Sequence, residues 1–204
     1  MQRIAPEFPM HMAQPIYTLK ITLRGIRPPI WRRVEVTPDL SLFELHRVIQ
    51  GAMGWTDSHL HQIIHRGIYY SAPDTEFDMP TVSERRTKVR DLLERAKDRF
   101  TYEYDFGDGW EHDVVLEGIE EAQPGVRYAR VTGGKRACPP EDVGGPSGYA
   151  EFVAAITDPN HEEHQSMLAW AGGKFDPEWF DLLTANDRVP KKTSVPTNSP
   201  RLIS

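Results

Sequence analysis

Hydrophobic and polar positions alternate strictly near the start of the chain. Tyr17, Leu19, Ile21 and Leu23 fall on one side, and Thr18, Lys20, Thr22 and Arg24 on the other. That two-residue period predicts a half-buried strand. "RPP" at 27–29 turns the chain, and "IWRRVEV" predicts a second strand with Ile30, Val34 and Val36 inward. The period then lengthens. Leu42, Leu45, Val48, Ile49 and Met53 share one helical stripe, with Ser41 and Glu44 spaced as a capping box. Residues 60–71 read as one further strand, 72–88 as an exposed loop, and "VRDLLERA" from Val89 as a short helix.

The stretch "YEYDFGDGWEHDVVLEG" predicts a hairpin. Phe100, Tyr102, Tyr104 and Phe106 alternate on one arm, and Trp110, His112, Val114 and Leu116 on the other. A three-residue loop, Gly107-Asp108-Gly109, brings both sets onto one face, pairing Tyr104 with His112 and Tyr102 with Val114. The same register sets Asp105 opposite Glu111 and Glu103 opposite Asp113. Like charges so opposed are destabilising, so a metal ion, a basic ligand or neighbouring basic side chains should offset them.

The glycine- and proline-rich run 127–148 reads as mostly irregular. Residues 148–158, 159–173 and 176–189 read as helices. The expected fold class is therefore α+β: a mixed or antiparallel sheet, β-grasp-like in its β-β-α-β opening, with a largely helical C-terminal part. The domain layout follows: a flexible N-terminal segment over 1–14, a single domain over 15–189, and a disordered C-terminal tail over 190–204.

Composition narrows the function classes. No apolar run approaches membrane-spanning length, and the opening "MQRIAPEFPMHMAQP" has no apolar core of signal-peptide length. The single cysteine, Cys138, excludes an intrachain disulfide and a four-cysteine zinc site, and a reducing, cytoplasmic setting is expected. Net charge is −6, unevenly spread: residues 102–187 hold 5 basic and 18 acidic side chains. Such a segment repels nucleic acid and suits a cation or a basic protein partner.

"DFGDGW" lacks the companion motifs of a kinase and the ligand spacing of an EF-hand, so it is first a turn. Two metal sets remain. Glu103, Asp105, Glu111 and Asp113 would suit a hard divalent cation; Cys138, His161 and His164 would suit zinc, the histidines being one helical turn apart. Asp105, Asp108, His112, Glu141 and Asp142 are the candidate partner-binding residues. The basic run over 84–99 predicts a solvated helix, and the five tryptophans predict core.

Five stretches, "YTLKITLRGIRPPIWRRVEV", "SLFELHRVIQGAMGWTDSHLHQI", "YEYDFGDGWEHDVVLE", "ACPPEDVGGPSGYAEF" and "DPNHEEHQSMLAWAGGKFDPEWFDL", occur in an order that resembles the plasmid pRiA4b ORF-3-like family, over about residues 15–188. The resemblance implies an α+β domain and an association with plasmids or mobile elements, some members carrying an insertion-element, resolvase-like label. It carries no catalytic residue across. The function expected is a non-catalytic binding or adaptor module with an acidic face. A metal-assisted, hydrolase-like enzyme is the alternative, and a DNA-associated passenger protein a distant third.

Overall fold

The computed structural model describes residues 14–72 and 81–190. Apart from Gln14 and Pro190, the expected flexible N-terminus and disordered tail lie outside the described residues, as do residues 73–80 of the exposed loop expected at 72–88; its described remainder holds a short strand at Val82–Ser83 and the buried Glu84.

The elements run β1 (Pro15–Leu23), β2 (Trp31–Val36), α1 (Leu42–Met53), β3 (His61–His65), β4 (Ile68–Ser71), β5 (Val82–Ser83), α2 (Val89–Leu92), β6 (Arg99–Tyr104), β7 (Trp110–Glu121), β8 (Arg130–Lys135), α3 (Gly145–Thr157), α4 (His164–Trp170) and α5 (Leu182–Arg188). The strands form one mixed sheet in the order β5-β4-β3-β6-β7-β1-β2-β8. Its named pairs are antiparallel except β4 with β5. The class is α+β. The chain opens β-β-α-β, but β6 and β7 separate β3 from β1.

Alternation decides which face is buried. Leu19, Ile21, Leu23, Val34, Val36, Ile63, Phe100, Tyr102, Tyr104, Trp110, Val114 and Leu116 are buried with residues of α1, α3 and α5 in one core. The α1 stripe enters that core as its period requires, and Ser41 and Glu44 close the capping box at its start.

Four expectations are corrected. Residues 60–71 form two strands, because Arg66 and Gly67 both take positive φ (52° and 78°), the geometry of a two-residue hairpin turn. The run expected to be irregular contains β8, paired with β2. The basic stretch 84–99 is helical only over Val89–Leu92, and Lys88 and Arg90 reach out to Asp39 rather than pairing along a helix. The two last helices are seven residues each, so His161 lies in the turn before α4, whereas His164 starts it.

Candidate functional site

The β6–β7 hairpin forms in a register two residues from the expected one. Tyr104 pairs with Trp110, Tyr102 with His112 and Phe100 with Val114, leaving a five-residue connection from Asp105 to Gly109. The slip is even, so every side chain keeps its face. Asp105 leaves the strand with φ 55°, and its Oδ1 accepts hydrogen bonds from the Gly107 and Asp108 amides at 3.0 and 3.3 Å.

This separates the four carboxylates read as one metal set. Glu111 and Asp113 are bridged by Arg24, whose Nη1 donates to Glu111 at 2.6 Å and whose Nε donates to Asp113 at 3.0 Å. Glu103, directly opposite Glu111, accepts from Gln62 Nε2 at 2.6 Å. Arg33 similarly holds Glu117. Asp105 turns away toward His59. Arg32, also on β2, takes no part, because alternation sends it inward.

The other metal set is dispersed as well. His164 Nδ1 donates to the Ala155 carbonyl at 2.9 Å, and His161 Nδ1 accepts from the Glu163 amide. Burial pushes the Cys138 thiol up to about 12. Among the described residues, two groups of three side chains bring ligand atoms within 4.8 Å of one another: His46, Asp57 and His61, and His59, Asp105 and Asp142. Neither includes Cys138, His161 or His164.

Of the expected partner-binding residues, Asp105, Asp108, Glu141 and Asp142 do converge. The Asp108 carboxylate accepts from the Gly144 amide at 3.1 Å, tying the hairpin turn to the loop before α3. Gly145 lies in the left-handed region (φ 69°), and a Cβ there would stand 2.3 Å from the Asp108 carbonyl oxygen, so the two loops touch backbone to backbone. Glu141 accepts from Tyr104 Oη (2.6 Å) and from Thr56 Oγ1 (2.5 Å). Burial opposes its ionisation, but the Thr56 and Tyr104 hydrogen bonds outweigh that and hold its pKa below the ordinary range. His59 lies across from Asp105 and Asp142. His112 is elsewhere, fully buried against the Trp55 ring, with Nδ1 donating to the Tyr102 and Trp110 carbonyls.

Beside Glu141 a cavity of about 990 Å³ opens between the end of α1, residues 137–141 and the segment from Trp170 to Arg188. Trp170, Phe175, Trp179 and Phe180 supply aromatic surface; Trp170 and Trp179 are about half exposed, contrary to the expectation that all five tryptophans are core. Arg32 forms part of the lining, only 3% exposed. Its Nε donates to the Ala52 carbonyl and its Nη1 to those of Trp31 and Lys135, while the Phe180 ring covers the guanidinium at 4.5 Å. Burial lowers its pKa, and among the described residues no carboxylate pairs with it and Nη2 has no acceptor.

Sequence reasoning missed His59 and Arg32. Arg32 had a signal: in the alternation Ile30, Arg32, Val34, Val36 it is the one charged residue at an inward position. His59 had none, because only the fold brings the 54–60 loop to the hairpin turn.

An α+β protein with a single mixed sheet, an aromatic cavity and a carboxylate-rich loop junction is thus defined. The chain belongs to the family described as plasmid pRiA4b ORF-3-like protein, whose model matches residues 15–184. It is 42% identical over 164 residues to "Uncharacterized protein y4hQ" of Sinorhizobium fredii (strain NBRC 101917 / NGR234), covering 79% of this chain and 83% of the relative. It also resembles the crystal structure of "Protein of Unknown Function MM3350" from Methanosarcina mazei Go1, with a TM-score of 0.76 and 40% identity over 83% of this chain and 96% of that one.

Proposed function

We propose that the protein is a binding module for a small organic anion, a flat apolar body carrying a carboxylate or similar group, held in the Trp170–Arg188 cavity. One observation carries this reading: a cation nine-tenths buried, without a carboxylate partner, in the wall of an aromatic cavity. A buried charge is costly unless it is paired, and backbone carbonyls offset only part of that cost. An incoming anion would supply the rest, and the tryptophan and phenylalanine rings would cover its apolar part. A basic protein partner on the acidic hairpin has less support, because Arg24 and Arg33 already pair with Glu111, Asp113 and Glu117 of that face.

The test compares acids with their neutral isosteres. Indole-3-acetate and benzoate should raise the melting temperature and quench tryptophan fluorescence, whereas indole-3-acetamide and benzamide should do neither. The Arg32→Gln variant should lose the preference for the acids. Equal responses to acid and amide, or an unchanged preference in Arg32→Gln, would remove the reading.

A further inference from the structure

Arg32 can offer a ligand only part of its guanidinium. Its Nε donates to the Ala52 carbonyl at 2.9 Å, and Nη1 donates to the carbonyls of Trp31 and Lys135 at 2.9 and 3.0 Å. The Phe180 ring covers the face of the group. It lies so close because β8 has a glycine at this point: a Cβ at Gly134 would stand 2.6 Å from Phe180 and 2.9 Å from Arg32. Only Nη2 is left. A forked, two-nitrogen grip on an acid needs Nη2 together with a free N–H of Nε or Nη1, and the protein's own carbonyls already hold those. Arg32 therefore meets one oxygen of an incoming acid, and a second donor must hold the rest.

That donor is in the same wall. Arg188, at the end of α5, lies over the end of α1: Gly54 closes that helix in the left-handed region (φ 103°), and a Cβ there would stand 2.5 Å from Arg188 Nη1. Arg32 reaches the same helix end through the Ala52 carbonyl. Lys174 is a third cation of the lining, and among the described residues neither its side chain nor that of Arg188 has a carboxylate partner or a hydrogen-bond acceptor. The carboxylates of the lining face donors of their own: Glu141 takes Thr56 and Tyr104, Asp176 the Glu178 amide and Asp181 the Thr184 amide. Burial raises the Cys138 thiol to about 12, and Arg32 and Arg188 both pull it back, so the thiol is near both guanidiniums and yet stays protonated. A neutral thiol is no nucleophile, so this wall holds an electrophilic group without attacking it.

We propose that the acid held in this cavity is a phosphate monoester of an aromatic compound, bridged between Arg32 Nη2 and the Arg188 guanidinium, with Lys174 as the third cation. This assignment rests on the anion-binding reading of the cavity and narrows it. A carboxylate has one charge and two oxygens, whereas a phosphate monoester carries about 1.5 to 2 negative charges near pH 7 and three terminal oxygens. Guanidinium groups suit phosphate because their donors are fixed in a plane and stay charged. Three cations without carboxylate partners match three oxygens, and a lone carboxylate would leave at least one of them unmet. The aromatic body then lies against Trp170, Phe175 and Trp179.

The experiment is calorimetry of the full-length protein at pH 7.5 with phenyl phosphate, phenyl sulfate, benzoate and inorganic phosphate. Phenyl sulfate keeps the shape and the three oxygens of the phosphate but carries less charge. Phenyl phosphate should bind about tenfold or more tighter than phenyl sulfate or benzoate, and inorganic phosphate, which has no ring, should bind more weakly than phenyl phosphate. Arg188 is exposed, so its substitution spares the core. Arg188→Gln should bring phenyl phosphate and phenyl sulfate nearly level, and Arg188→Lys should restore part of the difference. Equal affinities for the phosphate and the sulfate, or a preference unchanged in Arg188→Gln, would overturn the phosphate assignment, as would inorganic phosphate binding as tightly as phenyl phosphate. If indole-3-acetate still bound better than its amide, the anion reading would survive that failure; if no acid bound, both would fall.

Discussion

At the scale of single residues, His112 shows what burial does to a titratable ring. It is fully buried, Nδ1 donates to two carbonyls, and Nε2 is without a partner. Burial, the first cause, lowers its pKa to about 4, the two carbonyl contacts opposing only in part. The folded protein therefore keeps the ring neutral where the unfolded chain, with a pKa near 6.5, takes up a proton. The unfolded state binds more protons between those values, so stability is fully present above about pH 6.5 and falls as pH drops toward 4, by about 3 kcal/mol from this residue. Urea unfolding at pH 7.5, 5.5 and 4.5 should show that decline, and a His112→Leu variant should show a shallower one. An equally steep decline in the variant would assign the pH dependence to other groups. His46, lowered to about 4 first by burial and next by His61, is the obvious remaining contributor.

At the scale of elements, the β6–β7 hairpin depends on a cation from a third strand. Glu103 and Glu111 oppose one another, Asp113 is two residues further on, and Arg24, at the end of β1, spans the last two. Exposed ion pairs contribute about 0.2–1 kcal/mol, and removing this one also leaves like charges facing across the strands. Arg24→Gln should cost about 1 kcal/mol at low ionic strength, a loss that shrinks in 1 M salt and is partly relieved by adding Glu111→Gln. A loss independent of salt would mean that Arg24 acts through packing alone. Much of this element level was legible. β1, β2, α1 and the faces of β6 and β7 follow from period alone, because each buries one side against the core. The hairpin register was not, since a slip of two residues preserves every face and only the loop distinguishes the alternatives. β8 was hidden because "RVTGGK" has two glycines where a strand would show side chains. The short C-terminal helices fray into turns because most of their residues stay exposed, leaving little apolar stripe for a period to reveal. The candidate site was legible only in part: Asp105, Asp108, Glu141 and Asp142 could be picked out as polar residues in tight loops, but their meeting with His59 depends on long-range packing.

At the scale of the whole molecule, the last described helix is seated on the first. α5 packs on α1 and β8, and Asn186 exchanges hydrogen bonds with the Val131 backbone. The contact with α1 passes over Gly51, where a Cβ would stand 2.7 Å from the Arg188 carbonyl oxygen and 3.0 Å from the Val189 Cα. Those atoms are backbone and cannot swing aside as a side chain could. In an exposed helix interior, replacing glycine by alanine stabilises by about 0.5–1 kcal/mol. Here the sign should reverse: Gly51→Ala must push α5 outward, at a cost of about 1–3 kcal/mol. The same displacement should widen the cavity, because Thr184, Ala185 and Arg188 of α5 help to line it. Denaturant unfolding of Gly51→Ala should therefore give lower stability, and its affinity for indole-3-acetate should fall in parallel. A stabilised variant would show that α5 does not rest against α1 in solution, and the cavity would then lose the wall that closes it. Lower stability with unchanged affinity would place the ligand against Arg32 and the 137–141 loop without help from α5.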